Sequence, residues 1–369
     1  MRHTMLITAA FLLLTAPSAF AVIACGDGIT PAMIQYGRDV LAQLAQASDD
    51  DSIFAAAVIS ELFSSPPAPI PHDVLLRRAQ IAAPSDPHIW WASALVRADT
   101  SPSADSAIAH LLDIAAQNGS IALLDLDRAP KAGDMSRHAD SAIAHLLDIA
   151  PQNGAVWLLE LDRAQKTGDT IAEQIAVNRL AHAKYFDDYT AAIKSRILRA
   201  VEHTQVSAAV PEEFYVSGIS AYQKFLRRFV SSFSESADLT YPALQFACAP
   251  ERAPPGTQQR SDCVAIGGLL VEHSTSWRAM DEGLRLQQNL AEGPLDIAEV
   301  ERRRRNFEWL QSGSSQRSYD ADREYQSVLE GQTEQESARI MLTEAGLPLE
   351  PPAEWKSRQA AQPSEAIAQ

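Results

Sequence analysis

Two histidines could contribute to a metal site, because each is followed by an aspartate at a spacing that fits one side of a helix. His110 precedes Asp113, and His145 precedes Asp148. Two imidazoles and two carboxylates are a ligand set that divalent cations accept. The alternative is that both pairs lie on a solvated polar helix face and recur because the sequence around them is duplicated. We favour this alternative, so the sequence predicts no metal ligand and no cofactor.

The motifs that mark common enzyme sites do not occur in this sequence. It contains no HExxH metalloprotease motif, no G-x-S-x-G nucleophile elbow, no phosphate-binding P-loop and no glycine-rich dinucleotide fingerprint. We therefore assign no catalytic residue. An enzyme whose site is assembled from scattered residues is kept as an alternative hypothesis.

Cys248 and Cys263 are predicted to form a disulfide bond. They bracket residues 249–256, which are too rich in proline and glycine to form a regular helix or strand. A redox or catalytic pair would need C-x-x-C spacing or a positioned base, and neither is visible. We therefore expect a structural disulfide that closes this loop.

The first 24 residues have the organisation of a secretory signal peptide. Arg2 precedes an apolar run over residues 6–16, and Ala19-Phe20-Ala21 provides an A-x-A cleavage site. We therefore expect an exported protein of the periplasm. Residues 22–25, Val-Ile-Ala-Cys, also resemble the bacterial lipoprotein box, in which the cysteine is lipidated. Cys25 is thus a candidate lipidation site, and the sequence predicts membrane attachment only in the case that Cys25 is lipidated.

The chain contains an internal duplication with a period of 35 residues. Residues 104–134 read ADSAIAHLLDIAAQNGSIALLDLDRAPKAGD and residues 139–169 read ADSAIAHLLDIAPQNGAVWLLELDRAQKTGD, so all but seven of the 31 aligned positions are identical. In the second copy, apolar residues recur with helical spacing before and after the turn Pro151-Gln152-Asn153-Gly154. Each unit is therefore predicted to be a pair of helices. A period of this length is typical of solenoid repeats, whose units bury their apolar faces against one another.

A diverged copy precedes the duplication, because Pro84 and Trp90 align with Pro151 and Trp157. A helix that ends in a proline-containing turn, a tryptophan-bearing helix and a Gly168-Asp169 turn together resemble a tetratricopeptide-type array over roughly residues 70–190. This resemblance implies an all-α fold of antiparallel helical hairpins stacked as a short solenoid.

The remaining sequence predicts further helices on both sides of this array. We expect helices over residues 31–47 and 52–63, and distal helices over residues 264–274, 277–290, 294–311 and 319–346. In the third distal helix, Arg303 and Arg305 can pair with glutamates four residues earlier, so this basic run is predicted to be a paired solvent face. The domain organisation predicted is a signal peptide (1–24), a helical pair (25–69), a tetratricopeptide-like array (70–205), a C-terminal helical region with the disulfide-closed loop (212–346) and a flexible tail (347–369).

Three tryptophans of the array are candidates for partner binding, because tryptophan is enriched at binding hot spots. They are Trp90, Trp91 and Trp157. Trp90 and Trp157 occupy corresponding repeat positions, so packing within the array is the alternative that we favour.

The charge balance limits the classes of partner. With 31 basic and 47 acidic side chains, the formal net charge is −16, which repels nucleic acid and anionic lipid surfaces. The sequence therefore favours a non-enzymatic, exported helical-repeat protein that binds a protein or peptide in the bacterial envelope. The alternatives are the cryptic enzyme and a membrane-anchored structural or ligand-binding lipoprotein held by Cys25.

Overall fold

The computed structural model describes residues 31–62, 72–98, 132–204, 240–316 and 321–355. These residues form 14 α-helices and no sheet, and adjacent helices pack as hairpins, which confirms the all-α prediction. None of the helices in these ranges is long and apolar enough to cross a membrane. The expected signal peptide, Cys25 and most of the first repeat copy lie outside the described residues.

The chain divides into two compact units. One comprises residues 1–82 and 200–225, and the other comprises residues 83–199 and 226–369. The division after residue 82 falls inside the range expected for the repeat array, residues 70–205. The helices of the first unit are α1 (Pro31–Gln46), α2 (Asp50–Leu62) and α3 (His72–Ala82).

The second unit contains the other helices. They are α4 (Pro87–Ala98), α5 (Ala132–Ile149), α6 (Gly154–Thr167), α7 (Thr170–Ala181), α8 (Thr190–Glu202, whose last residues belong to the first unit), α9 (Tyr241–Ala247), α10 (Gln258–His273), α11 (Trp277–Leu290), α12 (Pro294–Gln316), α13 (Ala321–Leu329) and α14 (Glu334–Glu344).

The core of the first unit lies around α2. This helix packs against both α1 and α3, and its residues 53–59 are all buried. A helix that is apolar around its circumference needs neighbours on more than one side. Asp49 caps its start, because Oδ1 accepts a hydrogen bond from the Ser52 N–H at 2.8 Å. Arg78 of α3 donates to the carbonyl of Ala45 at the end of α1 at 2.9 Å.

In the second unit, two groups of helices pack on their neighbours along the chain. α4 packs on α5, α5 on α6 and α6 on α7, and farther along α10 packs on α11 and α11 on α12. α7 also packs on α10, α6 on α9 and α12 on α14. The repeat helices α6 and α7 therefore contact the two helices that the disulfide links, α9 and α10.

Two glycines allow α10 and α11 to approach closely. A Cβ atom on Gly283 would lie 2.7 Å from the Leu270 Cβ and 2.9 Å from the Gly267 carbonyl oxygen. Protein interiors are packed densely and hold no room for an added carbon at such distances. A side chain at position 283 would therefore push the two helices apart.

The C-terminal helices differ from the sequence prediction. The single helix expected over residues 319–346 is interrupted between α13 and α14, where Gly331 adopts a φ of +70° that ends a helix. Residues 347–355, expected to belong to a flexible tail, pack on α12. The Trp309 indole donates to the Pro348 carbonyl at 2.9 Å, and its ring centroid lies 5.6 Å from that of Trp355.

The run of arginines on α12 is paired, although one partner differs from the prediction. Arg303 contacts Glu299 at 2.8 Å, as the i, i+4 spacing predicts. Arg305 instead donates to three main-chain carbonyls of the C-terminal segment, at residues 352, 353 and 355. The basic run is thus occupied by contacts within this unit.

Candidate interaction surface

Trp90 and Trp157 make the same local contact at corresponding repeat positions. The Trp90 indole N–H donates to the Pro84 carbonyl at 2.8 Å, and the Trp157 indole N–H donates to the Pro151 carbonyl at 2.9 Å. Each contact joins a tryptophan to the proline-containing turn that precedes its helix. The polar end of each ring is therefore satisfied locally, and both rings remain half-buried.

The helix that follows each tryptophan places a different side chain over its ring. His145 of α5 lies on Trp90, with ring centroids 4.2 Å apart, and its Nε2 is 2.9 Å from the Pro84 carbonyl oxygen. Arg179 of α7 lies over Trp157, with its guanidinium carbon 5.9 Å from the ring centroid. That distance is close to the limit of about 6 Å for a cation–π contact.

The inner side of α7 is anchored firmly. Gly168 ends α6 in the left-handed conformation with a φ of +71°, and the Asp169 side chain caps α7 by accepting from the Ala172 N–H at 3.0 Å. Glu173 is buried and accepts hydrogen bonds from Gln165 at 3.0 Å and from Arg252 at 3.1 Å. These contacts fix which side of α7 faces solvent.

The outer side of α7 carries two isoleucines that face solvent. Ile171 is 71% exposed and Ile175 is 50% exposed, and their i, i+4 spacing places them one turn apart. Arg179 continues the same spacing toward Trp157. Single exposed apolar side chains are common, but an aligned pair on one helix face forms a small apolar patch. We call Ile171, Ile175, Arg179 and Trp157 the α7 strip.

The three tryptophans proposed from the sequence have different surroundings. Trp91 is only 3% exposed and packs edge-on against Tyr189, with ring centroids 5.7 Å apart. A partner could reach Trp91 only by displacing that packing. Trp90 is covered by His145, whereas Trp157 lies under Arg179, which follows the exposed isoleucines along α7. Among the three, Trp157 is the one that contacts the solvent-facing side of α7.

A buried polar junction lies behind the repeat turn. The Asn153 amide donates to the Asp187 carbonyl at 2.7 Å, and its oxygen accepts from the Asp187 N–H at 2.9 Å and from the Ala155 N–H at 3.1 Å. Asn153 therefore caps α6 and holds the segment before α8. Gly154 is packed so closely that a Cβ there would lie 2.9 Å from Leu180.

Asp86 forms an ionic cluster at the start of α4. His88 Nδ1 lies 2.9 Å from Asp86 Oδ1, and Arg196 of α8 pairs with the other carboxylate oxygen. Burial raises the pKa of Asp86, but the hydrogen bond from His88 and the charge of Arg196 outweigh it and lower the pKa to about 2. The cluster ties the start of α4 to α8.

Asp187 and Tyr189 are titratable groups with shifted pKa values. Burial raises the pKa of Asp187 above its usual range and raises the pKa of the Tyr189 hydroxyl to about 12. Such groups can serve as catalytic acids when they face a substrate. Here the Asp187 carboxylate accepts from the Tyr189 N–H at 2.8 Å and from Thr275 at 3.1 Å, contacts that hold the chain before α8. These contacts account for its burial without a catalytic role.

The metal hypothesis finds no support in the described part of the chain. His110 and Asp113 lie outside it. His145 contacts Trp90 and the Pro84 carbonyl, and Asp148 is exposed. No group of three or more histidine, cysteine, aspartate or glutamate side chains within the described ranges is arranged to hold a metal ion.

The predicted disulfide is present. Cys248 follows α9, Cys263 lies within α10, and the two Cα atoms are 5.7 Å apart. Both cysteines are buried. The bond therefore joins α10, which packs on α7, to the short helix α9, which packs on α6.

Comparison of the chain with protein-family models, with curated proteins and with solved structures finds no match. We therefore infer the function of the chain from its own residues.

Of the residues of the α7 strip, only Trp157 was predicted from the sequence as a candidate for partner binding. The apolar residues of α7 point in two directions, Ile171 and Ile175 on one side and Ala176, Val177 and Leu180 on the other. Both sets fit helical spacing, so periodicity alone does not decide which one is buried. No local signal distinguishes them, because Glu173 lies on the buried side, where Gln165 and Arg252 bind its carboxylate.

Proposed function

We propose that this chain is a non-enzymatic helical-repeat protein that binds a protein or peptide partner through the α7 strip. We further propose that it is exported and acts in the bacterial envelope, as the signal peptide and the lipoprotein-like Cys25 indicate. The stacked hairpins of the second unit serve as a short array that presents α7. The observation that carries the proposal is the exposure of Ile171 and Ile175 on one face of an anchored helix.

The chemistry of the α7 strip indicates the kind of partner. Two isoleucines one turn apart offer an apolar ridge, which fits the apolar side of an amphipathic helix. Arg179 adds a cation at one end of that ridge. The favoured partner therefore carries two apolar side chains one helical turn apart and a carboxylate that reaches Arg179.

The test is site-specific photo-crosslinking in the native envelope. A photoreactive amino acid replaces Ile175 in one variant and Ile81 in the control, since Ile81 of α3 is also exposed and lies on the first unit. We expect one dominant crosslinked protein from position 175 and not from position 81. The crosslinked protein is then purified, and its affinity for the chain is measured.

A pair of substitutions that introduces charge into the α7 strip gives the second part of the test. Ile171→Asp with Ile175→Asp should abolish binding of the purified partner and leave the circular dichroism spectrum unchanged. Substitutions at exposed positions usually change stability by only about 0.5 kcal/mol. Equal capture from both photoreactive positions, or unchanged affinity of the double variant, would exclude the α7 strip as the binding site.

A further inference from the structure

The helix α5 presents a sequence that occurs twice in this chain. Residues 139–150 of the second copy are identical to residues 104–115 of the first copy, and all but the last of residues 139–150 lie in α5. A surface that binds this helix by contacting its side chains therefore has two candidate binding segments in the same chain.

The surface that α5 occupies is on α4. The two helices pack together, and Ala142, Ile143 and Leu146 of α5 are buried. At one end, His145 covers the Trp90 ring and reaches the Pro84 carbonyl. We call this surface of α4, with the Pro84 carbonyl and the Trp90 ring, the α4 seat. Every one of the α5 side chains just named has an identical counterpart in residues 104–115.

The order of the chain puts the first copy within reach of the α4 seat. α4 ends at Ala98, so only residues 99–103 separate it from the first copy. Connections between neighbouring helices are commonly about 2 to 8 residues long. The second copy occupies the seat although the first copy is nearer along the chain.

The Gly-Asp pair that ends each copy adopts two different conformations. Gly168 and Asp169 form a stop and a cap between α6 and α7. The corresponding Gly133 and Asp134 lie within α5, which begins at Ala132. Because the same dipeptide is found as a turn and inside a helix, the end of the first copy is compatible with either arrangement.

We propose that residues 104–115 and residues 139–150 are alternative occupants of the α4 seat within one chain. The array then has two registers, which differ by one 35-residue unit. In the first register α5 packs directly on α4, and in the second the whole first copy is inserted between them. This inference is independent of the partner proposed for the α7 strip.

Cysteine pairs can report the occupant of the α4 seat in the full chain with Cys25→Ser. Trp90→Cys is combined with His145→Cys or with His110→Cys, and a short bifunctional thiol reagent is added under oxidising conditions that preserve the Cys248–Cys263 bond. We expect crosslinks within one chain for both pairs. The control pairs Trp90→Cys with Asn118→Cys, because the equivalent Asn153 contacts Asp187 and not Trp90.

A deletion variant makes the competition measurable. Removal of residues 104–138 leaves one copy, so the yield of the pair at positions 90 and 145 should rise, about twofold if the two occupants are equally populated. The proposal is overturned if the pair at positions 90 and 110 crosslinks no better than the control, or only between two chains. An unchanged yield after the deletion overturns it as well.

Discussion

Asn153 holds Asp187 by two opposed hydrogen bonds between one side chain and one main-chain residue. The amide N–H of Asn153 donates to the Asp187 carbonyl at 2.7 Å, and the Asp187 N–H donates to the Asn153 oxygen at 2.9 Å. This pair joins the turn before α6 to the segment before α8. Because Asn153 is completely buried, water cannot replace these bonds.

Asn153→Ala is therefore expected to lower the free energy of unfolding by roughly 2 to 3 kcal/mol, since buried polar groups lose their partner. Urea denaturation followed by circular dichroism measures the change. Asn178→Ala is the matched control, because Asn178 is exposed and makes a longer contact of 3.3 Å with Asp262. Equal losses in the two variants would contradict the role assigned to Asn153.

Two glycines nearby in sequence should respond to alanine in opposite directions. Gly283→Ala should destabilise the chain by about 1 to 3 kcal/mol, because the added carbon overpacks the contact between α10 and α11. Gly268→Ala should stabilise it by roughly 0.5 to 1 kcal/mol, because a Cβ there meets open space within a helix. Thermal unfolding of the two variants measures both effects. A shift of Tm in the same direction in both variants would contradict the close packing of α10 and α11.

The disulfide between Cys248 and Cys263 should contribute about 3 kcal/mol in the chain-entropy model, given a sequence separation of 15. Reduction of the wild-type chain is expected to lower the midpoint of urea unfolding. The Cys248→Ala, Cys263→Ala variant should start from that lowered midpoint and should not respond to reductant. A midpoint that is unaffected by reduction would mean that the loop closure adds no stability.

The ionised Asp86 side chain should stabilise the folded chain at neutral pH, and this stabilisation should be lost in acid. Its folded pKa of about 2 lies below the ordinary 3.8, so the stabilisation is complete above about pH 4 and is lost as the pH falls toward 2. Asp86→Asn should therefore be less stable than wild type at pH 7. The difference should shrink between pH 4 and pH 2 in urea titrations, and a constant difference would argue against a charged Asp86.

Asp187 should behave in the opposite way. Its pKa is raised in the folded chain, so its stabilising effect is present below about pH 3.8 and is lost as the pH rises through the folded pKa. Asp187→Asn, which retains an oxygen for Tyr189 and Thr275, should be more stable than wild type at pH 7. The control substitution Asp148→Asn, on the exposed side of α5, should change the stability little both at pH 7 and in acid. Loss of stability in Asp187→Asn at pH 7 would show that the charge is needed.

The sequence led to correct predictions where a local pattern of residues is compatible with one structure. A proline- and glycine-rich loop between two cysteines led to the correct disulfide, and α11 begins and ends where the periodicity predicted, at Trp277 and Leu290. Pairing of Glu299 with Arg303 followed from i, i+4 spacing. Each of these features depends on residues that are close along the chain.

Features that depend on contacts between residues far apart in the chain were harder to predict from the sequence. Arg305 has a glutamate four residues earlier, yet it donates to carbonyls of residues 352–355, because those acceptors lie beside it in the folded unit. Gly331 interrupts a pattern that is otherwise helical, and a single glycine does not reveal its φ angle. For α7, two apolar stripes were equally consistent with burial, and the packing of α6 and α10 selects one of them.

The direct packing of α5 on α4 has a consequence for how this gene can change. If the codons for residues 104–138 were lost, the encoded chain would retain the α4 seat and the α5 side chains described in it. Loss of this one unit would therefore preserve the contacts between α4 and α5. We therefore expect the number of 35-residue units to be the feature of this chain that can change with the least disturbance of its fold.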